Sequence, residues 1–187
     1  MTTSRIPLLT ADEATQAAND TGILELKASI NLYRGLLRHP DITRRVSDLM
    51  DTLTNQTTIE PRLRELMVMR IGWANGGLYE WSQHWQLGPF FGAEEHEMLA
   101  VRDWESHDHW SPLDRAALRA TDEFVADGRL SDETWRECVA QFPTPESQLE
   151  LVATIAAWKM MSDVCKTLAM PLEDGVEPWA PDGVGPR

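Results

Sequence analysis

Glu65, Glu80 and His84 are the residues whose types and spacing best suit proton transfer. All three lie in Arg62–Gly88, R-L-R-E-L-M-V-M-R-I-G-W-A-N-G-G-L-Y-E-W-S-Q-H-W-Q-L-G. An imidazole titrates near neutral pH, so His84 can take and return a proton under ordinary conditions. Glu80 precedes it by four residues, which puts both side chains on one face of a helix. There the carboxylate could orient the ring, raise its pKa, or serve as the partner acid or base. The alternative is an ordinary i,i+4 surface pair worth about a few tenths of a kcal/mol.

Two helices with a break between them must carry these residues. Pro61 suits a first helical position, where its missing N–H costs nothing. Leu63, Leu66, Met67, Met69 and Ile71 then give a broad apolar surface, and Asn75-Gly76-Gly77 stops the helix. Upstream, residues 1–9 read as an arm, and Thr10 with Asp12-Glu13 starts a helix. After Gly22, Ile23, Leu26, Ile30, Tyr33, Leu36 and Leu37 fall near helical spacing, which predicts one helix ending at His39-Pro40. Ile42, Val46, Leu49, Met50 and Leu53 mark another.

Downstream, Ala93-Glu94-Glu95 opens a short helix to about Val101, and residues 102–112 read as a polar, aromatic-rich connection. Ser111-Pro112 and Ser131 start two more helices. The longest is expected from Thr144-Pro145-Glu146 to about Ala169. Residues 171–187 read as an irregular tail with Trp179 as its anchor. Sustained strand alternation and β-hairpin signals are lacking, so the expected fold is all-α, about eight helices in a single domain spanning 1–187.

Composition narrows the partners. The 17 Lys plus Arg face 30 Asp plus Glu, a formal net charge of −13. That balance disfavours nucleic acid and anionic membranes as partners. Cys138 and Cys165 are too few and too far apart for a disulfide framework or a redox C-x-x-C pair. The N-terminal stretch lacks a signal-peptide apolar run, and the best apolar run, Leu151–Trp158, is too short to span a bilayer. A cytoplasmic, reduced setting is expected.

R-L-R-E-L followed by Y-E-W-S-Q-H resembles the core of the carboxymuconolactone decarboxylase and AhpD-like superfamily. In the peroxidase branch that core holds a glutamate, then C-x-x-C twelve residues later, then a histidine four residues after the second cysteine. Aligned on His84, the two cysteine positions here are Gly77 and Glu80, and the glutamate falls on Glu65. The acid and the histidine match; both thiols are absent. L-D-R-A-A-L-R-A-T-D-E-F, L-S-D-E-T-W and M-P-L-E-D-G-V-E-P-W-A-P-D-G extend the resemblance over roughly residues 20–185.

The resemblance implies an AhpD-like helical domain that assembles as a homo-oligomer, a trimer or hexamer. Exposed apolar residues of the N-terminal helices are the candidate interface. Peroxidase chemistry needs a thiolate and a resolving thiol, and neither stands at the motif. Cys138 and Cys165 read instead as small buried apolar residues. What fits is the decarboxylase branch, which uses no cofactor: a decarboxylase-like lyase or isomerase moving a proton on a small conjugated carbonyl or carboxylate substrate, with His84, Glu80 and Glu65 as catalytic residues.

Arg62, or Arg64 or Arg70, could grip a substrate carboxylate. Trp73, Tyr79, Trp81 and Trp85 could wall a flat, conjugated small molecule, or simply fill core and subunit contacts. Two other classes stay open, a divergent peroxidase relative without redox thiols and a non-catalytic oligomeric ligand-binding protein. His107-Asp108-His109 with Glu105, and Glu94-Glu95-His96, offer metal-ligand types, but no metal is assigned from them. Phosphate-binding glycine loops, dinucleotide fingerprints and nucleophile elbows are missing.

Overall fold

In the computed structural model, which describes residues 4–186, the chain is all-α. Among the described residues there are nine α-helices: α1 Ala11–Thr21, α2 Asn31–Leu36, α3 Pro40–Asn55, α4 Pro61–Ala74, α5 Leu78–Leu87, α6 Glu95–Ala100, α7 Pro112–Asp127, α8 Asp132–Gln141 and α9 Pro145–Leu168. Local chemistry sets many of the ends. Thr10 with Glu13 and Ser111 with Asp114 form reciprocal capping boxes, satisfying N–H groups that a helix start leaves free. Gly22 and Gly128 close α1 and α7 at φ 73° and 72°, a conformation costly for residues with a Cβ.

α4 runs through the centre. Leu63, Met67, Val68 and Ile71 face one core cluster, built with Ala117 of α7 and Leu151 and Ile155 of α9. Leu66 and Met69 face a second, built with Trp81, Met98, Trp104 and Trp110. A helix buried on most sides must be apolar nearly all round. The exceptions, Arg64 and Glu65, are each 1% exposed. α5 crosses α4 closely at Gly72, where a Cβ would come 2.9 Å from the Trp81 backbone nitrogen.

The expected single helix between Gly22 and His39 is not formed. Glu25–Ser29 is a 3₁₀ segment, Ile30 is extended, and only Asn31–Leu36 is α-helical. Tertiary hydrogen bonds account for the break. The Asn31 N–H donates to Glu173 at 2.7 Å and the Leu32 N–H to the Tyr79 hydroxyl at 3.2 Å, partners that a continuous helix would deny them. The segment expected as a polar connection at 102–112 is likewise more ordered: 3₁₀ turns run to Ser106, and Trp104 and Trp110 are buried.

Of the N-terminal arm, residues 1–3 lie outside the described residues. Ser4 and Arg5 hydrogen-bond the Leu168 carbonyl, and Leu9 is buried. The C-terminal tail folds back across α5. Trp81 Nε1 donates to the Ala180 carbonyl at 2.8 Å, and the Trp179 N–H donates to Ser82 Oγ at 3.0 Å. Trp179 thereby anchors the tail, as expected. No described helix is long and apolar enough to cross a membrane.

Candidate functional site

α4 and α5 bring Glu65 and His84 into contact. His84 Nδ1 lies 2.6 Å from Glu65 Oε2. On its other side, Trp158 of α9 directs its indole N–H at His84 Nε2 over 3.4 Å. An indole nitrogen only donates, so a neutral His84 accepts at Nε2 and keeps its proton on Nδ1, where Glu65 accepts it. Glu80 Oε2 stands 3.6 Å from the same Nε2. Glu80 and His84 are thus not a surface pair: their side chains are 5% and 13% exposed.

Behind Glu65 sits Arg64. Its Nη2 is 3.4 Å from Glu65 Oε1, its Nη1 donates to the Thr54 carbonyl at 2.9 Å, and its guanidinium lies 4.8 Å from the Phe91 ring centroid. Burying an arginine and a glutamate together is tolerable because each offsets the other's desolvation.

Electrostatics separates the two groups nearest His84 Nε2. Burial pushes the Glu80 carboxyl up to about 7; His84 pulls it down and the Glu65 charge pushes it up again. For His84, burial lowers the pKa, but the Glu65 carboxylate, by charge and hydrogen bond, and then Glu80 outweigh it, leaving the imidazole above its ordinary value of 6.5. Near neutral pH the site therefore holds a carboxyl able to carry a proton beside an imidazole able to exchange one.

A cavity of about 170 Å³ exposes this chemistry. Tyr79, Glu80, Gln83 and His84 line it from α5, Trp158 and Met161 from α9. Ile30, Leu32, Tyr33 and Met50 come from the N-terminal elements, and Leu87 from the end of α5. Glu173, in the tail, ties the walls together. Its Oε1 accepts from the Tyr79 hydroxyl at 2.6 Å and from the Asn31 N–H, while its other oxygen accepts from Gln83 Nε2.

The structure thus brings together His84, Glu80 and Tyr79 in the cavity, with Glu65 directly behind the imidazole. It does not bring the other expected binding residues there. Arg62 is spent elsewhere: its Nε donates to Glu97 and its Nη1 to Asp114, both at 2.9 Å, clamping α4 to α6 and α7. Arg70 holds Asp122 and the carbonyls of Val101 and Arg102. Trp73 and Trp81 pack with Trp179 in the core, and the Arg102 guanidinium lies 4.7 and 4.8 Å from their ring centroids.

Trp85 lines a different, wider cleft of about 640 Å³ with Pro89, Glu94 and Met98. Helical spacing explains the misplacement. Trp81 and Trp85 are themselves four apart and stack, forming a stripe one residue round from Glu80 and His84, hence on a different side of α5. Sequence reasoning also missed Trp158, Met161, Gln83 and Glu173. Trp158 and Met161 share a face of a long apolar helix, a signal indistinguishable from core; nothing in the sequence marks Glu173.

The two positions where the peroxidase branch has thiols are filled. Glu80 occupies one, and at the other a Cβ on Gly77 would overlap Ser162 Oγ. Cys138 and Cys165 are buried on α8 and α9, and burial raises both thiols, Cys138 to about 11. Of the metal-ligand types noted in the sequence, His107 pairs with Asp103 and His96 with Glu94, each at 3.2 Å. Among the described residues, no three His, Cys, Asp or Glu side chains are grouped to hold a metal ion.

Residues 40–123, which span α3 to α7, match the carboxymuconolactone decarboxylase family. That stretch, just under half of the chain, is similar to the family, and the fold is shared with AhpD-like proteins. An AhpD-core, peroxidase-related protein from Ralstonia eutropha JMP134 superposes with a TM-score of 0.74 at 17% identity, covering 99% of each chain. The debrominase Bmp8, in complex with 2,3,4-tribromopyrrole, superposes at 0.73 with 18% identity, covering 93% of this chain and 94% of its own. A peroxidase-related protein from Silicibacter sp. TM1040 superposes at 0.71 with 10% identity, covering 94% and 97%. At these identities the likeness is one of fold. No curated protein matches the sequence. The chain has Glu65 and His84 at the spacing that the resemblance to the peroxidase branch implies, with Gly77 and Glu80 at the two cysteine positions.

Proposed function

We propose that the protein is an acid–base enzyme, a lyase or isomerase without a cofactor, acting on a small conjugated carbonyl compound. The observation that carries this reading is the placement of His84, held by Glu65 at Nδ1, with its Nε2 edge beside Glu80 in a mainly apolar cavity. Neutral Nε2, released from its 3.4 Å contact with the Trp158 indole N–H, removes a proton from the carbon next to the carbonyl. The C–H electrons move to the carbonyl oxygen, where a protonated Glu80 supplies a hydrogen bond to the forming enolate. Glu65 stabilises the imidazolium that results. Return of the proton to the same carbon, or to a conjugated one, completes an exchange or an isomerisation.

Homo-oligomeric assembly and a cytoplasmic setting belong to this reading. Support for assembly comes from Leu26, Ile42 and Leu49, exposed apolar side chains on the N-terminal elements. Light scattering on the purified protein gives the oligomer number.

Incubation of wild type and His84→Ala with a metabolite extract in D₂O tests the reaction. A compound that gains deuterium or loses CO₂ only with wild type is expected, with the variant slower by about 10²–10⁴-fold. Equal behaviour of the two proteins on every compound that binds the cavity would turn the reading toward ligand binding without catalysis.

A further inference from the structure

The cavity offers an anionic ligand no counter-ion. Among the described residues, no Lys or Arg lines it. Neighbouring cations are engaged elsewhere: Lys27, 5.3 Å from the Tyr33 ring centroid, pairs with Asp51, Arg62 with Glu97 and Asp114, and Arg70 with Asp122, while Arg64 lies buried behind Glu65. The one group in the cavity able to become a cation, His84, is already paired with Glu65 and has Glu80 3.6 Å from its other nitrogen. Tyr79 and Gln83, the remaining polar wall residues from α5, direct their donors at Glu173, a further acidic residue. A carboxylate entering here would lose its water, meet mainly apolar walls, and feel the field of nearby glutamates.

We infer that the substrate is an uncharged, ring-sized carbonyl compound, and that the cavity discriminates against carboxylates. This rests on the acid–base reading for the uncharged carbonyl; the discrimination against carboxylates follows from the walls. The size follows from the volume, since a cavity of about 150 Å³ holds a benzene ring and this one measures about 170 Å³. An uncharged carbonyl oxygen needs one donor, which a protonated Glu80 supplies, and the ring packs on Tyr33, Tyr79 and Trp158.

A matched pair of probes tests this in the full chain: cyclohexenone bearing a methyl group β to the carbonyl, and the analogue with a carboxylate in place of that methyl. Binding is read from the Trp158 indole N–H resonance of ¹⁵N-labelled protein, assigned with Trp158→Phe. Turnover is read as deuterium entering the ring from D₂O. The methyl enone is expected to shift that resonance, and the carboxylate to bind at least about tenfold more weakly. Leu87→Lys, at a partly exposed position on the cavity lining, is expected to shrink or reverse the preference by adding the missing cation.

Equal or tighter binding of the carboxylate by wild type overturns the inference. So does a Trp158 resonance that neither probe moves at saturation. If the methyl enone binds as expected yet exchanges no faster with wild type than with His84→Ala, the acid–base reading fails and the inferred neutral ligand stands.

Discussion

His84 Nδ1 and Glu65 Oε2 are 2.6 Å apart, joined across the α4–α5 contact by residues nineteen positions apart in the chain. The carboxylate is 1% exposed and cannot be replaced there by water without a rearrangement. It fixes the ring orientation and favours the imidazolium, so its loss should be visible in the histidine itself.

Glu65→Gln keeps the shape and removes the charge. Because Glu65 raises the His84 pKa, the variant's histidine should titrate at lower pH than wild type. Ring ¹³C chemical shifts followed through a pH titration measure this. An unchanged or higher midpoint would show that the contact does not govern the proton on His84. Proton-transfer activity should fall by about 10–100-fold, because the imidazolium formed during reaction loses its partner.

Stability should decline from pH 5 to pH 8. Glu80 is raised from 4.5 to about 7, so its contribution is complete below the unfolded value and is lost as pH rises through about 7. His84 is also raised, so its contribution is complete below 6.5 and is lost as pH rises through its folded value. In both cases the folded state binds more protons in this window, which makes the slope negative. Urea unfolding at the two pH values should differ by about 2 kcal/mol, and Glu80→Gln should remove a large part of that difference. A wild-type curve that rises over the window would contradict the assignment.

Gly77→Cys should destabilise the protein by about 1–3 kcal/mol, since the added Cβ would overlap Ser162 Oγ. Combining it with Ser162→Gly should recover much of the loss, giving a coupling that a double-mutant cycle in urea detects. Strict additivity would mean that Ser162 does not fill the space.

Arg64→Met should cost about 3–5 kcal/mol, because it leaves the Glu65 charge buried without its neighbouring guanidinium. Guanidinium chloride unfolding measures it. Arg62→Met, at a side chain 30% exposed to solvent, should cost less despite its two carboxylate partners. A reversed order would mean that solvent exposure is a poor guide here.

Much of the fold was legible because its helix ends are written locally. Thr10 with Glu13, Ser111 with Asp114, and prolines at first helical positions act within one turn of chain. Glu65 and His84 were legible through their spacing and the family resemblance. The cavity walls were not. The break at Ile30 that delivers Leu32 and Tyr33 depends on Tyr79 and Glu173, partners far away in sequence. The tryptophans misled for a related reason: their number near the motif says nothing about which side of α5 each occupies, and Trp81 turned inward to the tail.

Asn31, Tyr79 and Gln83 all donate to one carboxylate in the tail, Glu173. During synthesis α4 and α5 leave the ribosome well before residue 173 does. The walls around Glu65 and His84 are therefore tied down only by a stretch translated well after them. Chains interrupted before Glu173 would lack the carboxylate that joins Asn31, Tyr79 and Gln83.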